Sequence, residues 1–227
     1  MPAPLSVIIP ALNAAADLPL ALESLLPGLE AGLIREVIVA DGGSTDATRA
    51  IAGSAGANLI ESAPGRGKQL RAGAGTARGE WFLFLHADTA LSRNWPERAA
   101  AHMGTRPGQA AAFKLKYRSD AREARWLEGR ANRRARWMGL PYGDQGLLIS
   151  RALFEKIGGF ADVPLMEDVI IVRALGKKRL VILDAEARTS AAKYERDGWR
   201  KRAWSNAWLL TRFLLGAKPE ALAKAYR

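Results

Sequence analysis

Short apolar runs alternate with helix-forming stretches through the first half of the chain. Buried strands are predicted for four runs, SVIIP at 6–10, EVIVAD at 36–41, NLIES at 58–62 and WFLFLHAD at 81–88. Helices are predicted between them over 17–28, from an N-cap at Ser44 to about residue 55, and over 67–78. The fourth run is continuously apolar, which is typical of a strand covered on both faces. The alternation predicts an α/β fold with a mainly parallel sheet and right-handed crossovers.

The pattern changes after residue 110. AAFKLKYR at 111–118 alternates like an exposed strand, and further strands are predicted after GDQG at 143–146 and over VILDAEA at 181–187. Helices are predicted over 120–138, before Gly158-Gly159, over 167–176 and over 197–216. Neither a repeat nor a Pro/Gly/Ser-rich linker divides the chain. We therefore expect one domain over 1–192 with a C-terminal helical appendage over 193–227, packed on it or on a membrane.

Composition limits the class of protein. The chain has 227 residues, no cysteine and a 48% apolar share, which excludes a disordered chain, a disulfide scaffold, a thiolate metal site and a cysteine nucleophile. The start, MPAPLSVIIPALN, lacks the basic region of a signal peptide. Apolar runs also stay shorter than the roughly 18 residues of a membrane span. These features predict a cytoplasmic enzyme or binding protein.

The net charge of +11 is concentrated in two segments. Segments 113–137 and 193–227 each contain nine basic and three acidic residues, and the rest of the chain is close to neutral. They also hold most of the tryptophans, namely Trp126, Trp137, Trp199, Trp204 and Trp208. Basic residues mixed with tryptophan suit an anionic membrane surface, here the inner face. The alternatives are packing on the core, packing on a second subunit in a homodimer, or binding of nucleic acid.

Acidic residues fall at the ends of two predicted strands. Asp41 ends the second strand and Asp88 the fourth, so both open onto one edge of a parallel sheet, where such folds bind ligands. A carboxylate there can bond a base or ribose, hold a divalent ion beside a diphosphate, or form a turn. Gly42-Gly43 permits close approach of a ligand to the backbone.

Five segments together resemble a known family. They are SVIIPALN, EVIVADGGSTDAT, GRGKQLRAGAGTARGEWFLFLHADT, YGDQGLLISRALFEKIGGF and PLMEDVIIVRAL, in that order over about residues 5–190. This set resembles family 2 glycosyltransferases of the GT-A fold, and is most similar to small bacterial members that carry His-Ala-Asp before the metal site. The resemblance implies inverting transfer of a sugar from a UDP- or GDP-linked donor to an unknown acceptor, with Mn²⁺ or Mg²⁺ as cofactor.

The resemblance also implies roles for individual residues. The implied nucleotide-sugar-binding residues are Pro10, Asn13, Asp41, Ser44, Gly67, Lys68, Asp88, Asp144 and Gln145. Asp88 matches the acid that binds the metal, and Asp144 and Gln145 lie in an implied acceptor-side loop. Glu167 and Asp168 match the catalytic pair, with Asp168 as the base that deprotonates the acceptor hydroxyl. Capping of the following helix is the alternative role for this pair.

One position departs from the family pattern. His86 stands where the first aspartate of the Asp-x-Asp motif is expected. A neutral imidazole ligates Mn²⁺ but suits Mg²⁺ poorly, so His86 and Asp88 are the predicted metal ligands; contact with a ribose or phosphate, or packing, are the alternatives for His86. Candidate phosphate contacts are Arg66, Arg71 and Lys114.

Two other functions fit the sequence less well. A sugar nucleotidyltransferase would carry a glycine-rich loop soon after the first strand, and PALNAAADL has none. A non-catalytic module binding nucleic acid or membrane explains the charge but leaves the acids at the strand ends unexplained. We therefore expect an enzyme with no nucleic-acid partner. If both tryptophan-bearing segments meet beside the active cleft, a lipid-linked acceptor is expected.

Overall fold

The structure, a computed structural model, describes residues 3–225 of the chain. Its strands are β1 (Leu5–Ala11), β2 (Ile34–Asp41), β3 (Asn58–Glu61), β4 (Trp81–Phe84), β5 (Thr89–Leu91), β6 (Ala110–Tyr117), β7 (Leu147–Ser150) and β8 (Leu180–Thr189). Its helices are α1 (Leu18–Glu23), α2 (Leu26–Glu30), α3 (Thr48–Ser54), α4 (Arg66–Thr76), α5 (Trp95–Thr105), α6 (Arg122–Met138), α7 (Arg151–Lys156), α8 (Glu167–Leu175), α9 (Ala192–Asp197), α10 (Trp199–Leu214) and α11 (Pro219–Ala225). Two 3-10 helices lie at Gly143–Gln145 and Lys177–Arg179.

Within the described residues, eight strands form one sheet in the order β3-β2-β1-β4-β7-β6-β8-β5. Strands β1 to β4, β6 and β8 run in one direction, and β7 and β5 run antiparallel to their neighbours. The carboxyl ends of six strands therefore lie at the same edge. The α/β fold class with a mainly parallel sheet flanked by helices is confirmed.

Alternation along β1 explains why helices cover both faces of the sheet. Leu5, Val7 and Ile9 are fully buried in a cluster that includes Leu18 and Trp95, on the side of α1 and α5. Ile8 points the other way, into a second cluster. Its members include Leu70, Phe82, Phe84, Phe154 and Ile171, from α4, β4, α7 and α8. A strand with apolar residues at every position is stable only when both faces are covered in this way.

The C-terminal helices pack on the sheet through aromatic residues. Tyr117, the last residue of β6, packs with Ala124 of α6 in a third apolar cluster, against which Tyr194 and Trp199 lie. The rings of Tyr194 and Trp199 are stacked with centroids 5.2 Å apart. Helix α10 also packs against α6. The final residues 226–227 of the predicted appendage lie outside the described residues.

The fourth strand is shorter than predicted. It ends at Phe84, and the Thr89 N–H donates to the His86 carbonyl at 3.1 Å, which closes a tight turn. His86 and Asp88 therefore lie in a turn beyond the strand, not on it. This turn carries both side chains past the sheet edge, into the space where the other strand ends converge.

The predicted N-cap at Ser44 is wrong. Helix α3 begins at Thr48, because Asp41 accepts hydrogen bonds from the Gly43 and Ser44 N–H groups and extends the turn. The Ser44 Oγ accepts from the Asn13 N–H at 2.9 Å instead of capping the helix.

Three further element predictions need correction. The helix at 17–28 is split into α1 and α2, because Pro27 has no N–H to donate to the preceding turn. The prediction of an exposed strand at 111–118 is wrong, because β6 lies between β7 and β8 and its first four residues are fully buried. The helix predicted over 197–216 covers only Trp199–Leu214, and Gly198, with a φ of 87°, separates it from α9.

No helix within residues 3–225 has both the length and the apolarity that crossing a membrane requires.

Two glycines of α4 provide a matched test of the packing between this helix and β1. A Cβ at Gly73 would lie 2.4 Å from Ile8 Cγ2, whereas a Cβ at Gly75 meets nothing within 4 Å. We expect Gly73→Ala to lower the free energy of unfolding by about 1–3 kcal/mol through overpacking. Gly75→Ala should raise it by up to about 1 kcal/mol, because alanine favours the helix. Urea unfolding followed by circular dichroism measures both, and two changes of the same sign would contradict the packing.

Candidate active site

A cavity of about 200 Å³ opens at the carboxyl edge of the sheet. Its polar wall contains His86 and Asp88 from the turn after β4, Asp144 from the first 3-10 helix, and Glu167 and Asp168 from the start of α8. Cationic residues also line it, namely Arg66, Lys193 and Arg202. The five acidic and imidazole side chains come from three segments that are widely separated in the sequence. The structure thus brings together the predicted metal and catalytic residues in one cavity.

Asp168 is fixed by two backbone groups. Its Oδ2 accepts a hydrogen bond from the Gly143 N–H at 2.9 Å, and its Oδ1 accepts from the Val169 N–H at 2.8 Å. The residue before the pair, Met166, has a φ of 71°, a left-handed conformation that is rare for a side chain of this size. This strained turn starts α8 and directs Glu167 and Asp168 to the cavity.

His86 is packed beneath the loop that holds Asp168. A Cβ at Gly143 would lie 2.4 Å from His86 Nε2, so the imidazole occupies the space that a side chain at this position would fill. Burial holds the pKa of His86 well below its usual range, and the charges of Arg66 and Lys193 lower it further. The imidazole is therefore neutral near pH 7 and has a nitrogen lone pair available to a metal or a hydrogen-bond donor.

Asp144 is an unusual carboxyl group within the cavity. Burial raises its pKa to about 6, the guanidinium of Arg134 opposes that shift, and the carboxylates of Asp168 and Asp88 add to it. Arg134 itself lies over the Tyr142 ring, 3.7 Å from its centroid. Among the described residues, neither Asp144 Oδ1 nor Tyr142 Oη has a hydrogen-bond partner, although both atoms are buried. These two polar atoms are available to a bound hydroxyl group.

Glu167 is almost completely buried at the base of the cavity. Its Oε1 lies 3.6 Å from Arg66 Nη1. Burial raises the pKa of Glu167, Asp168 raises it further, and Arg66 opposes both. Glu167 and Arg66 thus connect the start of α8 to the start of α4.

A second group of predicted residues lies at the ends of β1 and β2. Asn13 has a φ of 49°, its Oδ1 accepts from the Thr45 N–H at 2.9 Å, and its own N–H donates to Ser44 Oγ. Asp41 is buried and organises the same loop through the Gly43 and Ser44 N–H groups. The loops after these two parallel strands are therefore held together by hydrogen bonds.

Other predicted residues have roles in packing. Gln145 is fully buried and its Nε2 donates to the Phe113 carbonyl at 2.9 Å. A Cβ at Gly67 would lie 2.7 Å from the Ala161 carbonyl oxygen, so this glycine permits close contact between α4 and that loop. Pro10 is buried in β1, opposite Ala40, and Lys68 is exposed on α4. These positions do not line the cavity, and their contact with a nucleotide stays a prediction.

Two of the candidate phosphate contacts lie elsewhere. Lys114 forms an ion pair with Asp184 at 2.5 Å, and Arg71 donates to the Phe160 carbonyl at 3.2 Å. Of the three candidates, only Arg66 lines the cavity.

One wall of the cavity is not predicted from the sequence. That wall comes from the ends of β6 and β8 and from α9 and α10, and includes Tyr117, Thr189, Lys193, Tyr194, Arg202, Asn206 and Leu209. Gln69 is not predicted either, although its buried Nε2 donates to the carbonyls of Ala11 and Ala40 and so joins the ends of β1 and β2. A glutamine inside an amphipathic helix has no distinguishing signal, and the C-terminal residues belong to a segment predicted to be an appendage.

The architecture of this chain matches that of known glycosyltransferase structures. It is similar to the crystal structure of S. aureus TarS 1-349, with a TM-score of 0.62 and 22% identity over 83% of this chain and 60% of that one. A second similar structure is glucosyl-3-phosphoglycerate synthase from Mycobacterium tuberculosis in complex with Mn²⁺, UDP and glucosyl-3-phosphoglycerate, with a TM-score of 0.58 and 22% identity over 82% of this chain and 70% of that one. At these identities the similarity shows the fold alone, and that fold is GT-A. The chain spans less than two thirds of the TarS fragment.

The chain belongs to glycosyl transferase family 2, whose sequence pattern matches residues 6–161. No curated protein sequence matches it.

The buried carboxyl of Asp144 makes stability depend on pH. Since its folded pKa of about 6 exceeds the usual 3.8, the folded protein binds more protons than the unfolded chain between these values. The free energy of unfolding therefore falls as pH rises through this window. Asparagine does not titrate, so in Asp144→Asn the free energy of unfolding should fall by about 1–3 kcal/mol less than in the parent protein. The stability of the variant relative to the parent should therefore increase between about pH 4 and about pH 7.

Urea unfolding at several pH values, in buffer without divalent cations, measures this difference. Glu167 is present in both proteins, so its own titration largely cancels. Parallel stability curves for parent and variant would contradict a raised pKa at Asp144.

Proposed function

We propose that this chain is an inverting glycosyltransferase that moves a sugar from a UDP- or GDP-linked donor to a hydroxyl group of an acceptor. Family membership supports this reaction class. The observation that carries the proposal is the Asp168 carboxylate, which the Gly143 N–H holds at 2.9 Å in the cavity that His86 and Asp88 also line. A carboxylate with a fixed orientation next to a metal-binding pair is what this chemistry requires.

Asp168 acts as the general base. The acceptor oxygen attacks the anomeric carbon on the face opposite the diphosphate, so the new C–O bond forms as the bond to the diphosphate breaks. Asp168 takes the proton of the attacking hydroxyl, and such assistance typically contributes about 10²–10⁴-fold. Because backbone N–H groups hold both carboxylate oxygens in place, the base needs little reorganisation in the transition state.

Glu167 acts beside Asp168 by keeping Arg66 in the cavity. The 3.6 Å ion pair holds a guanidinium where negative charge develops on the leaving diphosphate. Lys193, from the other wall, adds a second cation. These two cations offset part of the charge that the donor brings into a cavity rich in carboxylates.

The donor nucleoside is proposed to bind at the loops after β1 and β2. The fastened loop pair of Asn13, Asp41 and Ser44 supports this position, with Pro10 beneath it and Lys68 on the neighbouring helix. Parallel strands of this kind bind nucleotides outside their carboxyl ends. The Mycobacterium tuberculosis synthase was solved with UDP, and the S. aureus TarS fragment with UDP-GlcNAc, which is consistent with a UDP-linked donor.

His86 and Asp88 fit a divalent metal held jointly with the donor. No group of three His, Cys, Asp or Glu side chains within residues 3–225 is arranged to hold a metal, so donor phosphate oxygens or water would supply the remaining ligands. A neutral imidazole and one carboxylate suit Mn²⁺ better than Mg²⁺. When bound, the metal would stabilise negative charge on the diphosphate. We assign the chain on this basis to the family members with His-Ala-Asp at this site.

The acceptor is proposed to enter along the wall formed by α9 and α10. Tyr142 Oη and Asp144 Oδ1 offer it a hydrogen-bond donor and acceptor close to Asp168. Tyr194 and Leu209 give the same wall an apolar surface on which a sugar ring or an aliphatic chain can pack.

Replacing the base separates catalysis from binding. Asp168→Asn keeps the shape of the side chain but cannot take a proton, so we expect transfer to fall by at least about 10²-fold. Donor affinity should change by less than about threefold, because the base does not hold the nucleotide. Donor hydrolysis or transfer assays and calorimetric titration with UDP and GDP measure the two effects. Asp162→Asn, an exposed change of equal charge, is the control, and equal loss of binding and transfer would make Asp168 a donor ligand.

Metal preference tests the role of His86. We expect UDP or GDP to raise the melting temperature more with Mn²⁺ than with Mg²⁺, because the imidazole favours the softer ion. His86→Asn replaces the nitrogen ligand with an amide oxygen and adds no charge, so it should reduce the preference for Mn²⁺. Thermal unfolding with each metal, with and without nucleotide, checks both statements. No stabilisation by either nucleotide under any metal condition would contradict the donor site.

A further inference from the structure

Helix α6 has a buried face and an exposed face on opposite sides, and the residues of each face recur at the same intervals along the sequence. Its buried face contains Ala124, Glu128, Ala131 and Ala135. Two positions further along the sequence, the same spacing gives an exposed stripe of Trp126, Arg130, Arg133 and Trp137. A shift of two residues is about 200° around a helix, so this stripe faces directly away from the sheet. The Arg130 guanidinium lies 4.8 Å from the centre of the Trp126 ring.

Helix α10 repeats this arrangement. Its inner face, with Arg202, Asn206 and Leu209, lines the active-site cavity. Its outer face carries Trp204, Trp208 and Leu215 of the following turn, which are 77%, 62% and 82% exposed. An amphipathic helix packed on a core normally turns its apolar face inward. Helix α10 also has an outward apolar face, and no described residue covers that face.

The exposed tryptophans are accompanied by cations that are not paired with acids. Ion pairs in these helices involve other arginines, such as Arg125 with Glu128 and Arg202 with Asp197. Among the described residues, no ion pair to a carboxylate forms at Arg130, Arg133, Arg200 or Lys201. Helices α6 and α10 pack against each other, so both stripes belong to one region of the molecule.

We infer that the outer faces of α6 and α10 bind the surface of an anionic lipid bilayer. Tryptophan rings would lie at the level of the headgroups, and the cations without carboxylate partners would contact lipid phosphates. The same helix α10 would then touch the bilayer on one face and the cavity on the other, which suits an acceptor linked to lipid. The inference about the surface does not depend on the proposed reaction.

Other occupants fit the surface less well. The aliphatic side chains of Met138, Leu214 and Leu215 are exposed here, and they cannot stack on nucleic-acid bases as aromatic rings do. A second copy of the chain, docked symmetrically, would bring the same unpaired cations face to face. Both charge and apolarity are matched by anionic lipid.

Flotation of the full chain with lipid vesicles tests the inference. We expect binding to phosphatidylglycerol vesicles and little to phosphatidylcholine vesicles, with binding reduced when NaCl rises from about 0.1 M to about 0.5 M. The double variant Trp204→Ser/Trp208→Ser should lower the partition coefficient at least about tenfold. The matched control is Leu26→Ser/Leu29→Ser, which removes two exposed leucines from α2 and should bind like the parent.

Tryptophan fluorescence of the unmodified protein gives a second measurement that no folding defect can affect. Brominated phosphatidylglycerol should quench it, because the exposed rings insert among the lipids. The inference is overturned if the protein does not float with anionic vesicles and its tryptophan fluorescence is not quenched by them. Equal loss of binding in the control variant would also overturn it.

Two further outcomes would overturn it as well. One is binding of an oligonucleotide without binding of vesicles, and the other is a dimer, seen by sedimentation, in which these tryptophans are protected. Nucleotide-induced stabilisation, measured alongside, reports on the donor site independently.

Discussion

Four carboxyl groups share one cavity, and their burial together with their mutual repulsion is the constraint on which the site depends. Asp88, Asp144, Glu167 and Asp168 all line it. Burial raises the pKa values of Asp144 and Glu167, neighbouring carboxylates raise them further, and Arg66 lies near Glu167 and opposes the shift. A donor diphosphate would add further negative charge. Binding of the proposed donor would therefore require additional positive charge, which gives a physical reason for the divalent metal proposed at His86 and Asp88 and for cations on the opposite wall.

Backbone geometry makes this crowding possible. The left-handed Met166 starts α8 at the point where Asp168 reaches the Gly143 N–H. Gly143 in turn leaves room for the His86 ring. Each of these three features restricts the others, so Asp168, the loop and the imidazole are positioned as a unit. At the ends of β1 and β2, Gln69 has the corresponding role by joining the two strands.

The C-terminal helices belong to the site as much as to the surface. Tyr194 and Trp199 attach them to β6 through ring packing, and α9 and α10 close one wall of the cavity. A boundary at residue 192 therefore divides the cavity-lining residues between two segments. The tryptophan-bearing segments meet where α6 packs on α10, beside that wall, so the positive charge of the chain lies next to the cavity.

The amino-acid sequence was enough to predict most strands and helices in their order, the family, and the side chains that meet at the carboxyl edge of the sheet. Apolar periodicity fixes elements locally, and Asp41, Asp88 and Asp168 follow strands or begin a helix in the order that the family requires. The antiparallel insertion of β7, the role of Ser44 in holding Asn13, the burial of Gln145 and the entry of α10 into the cavity became visible only in the folded structure. Such features arise from contacts between residues distant along the chain, and local patterns of polarity contain no information about which distant groups will meet.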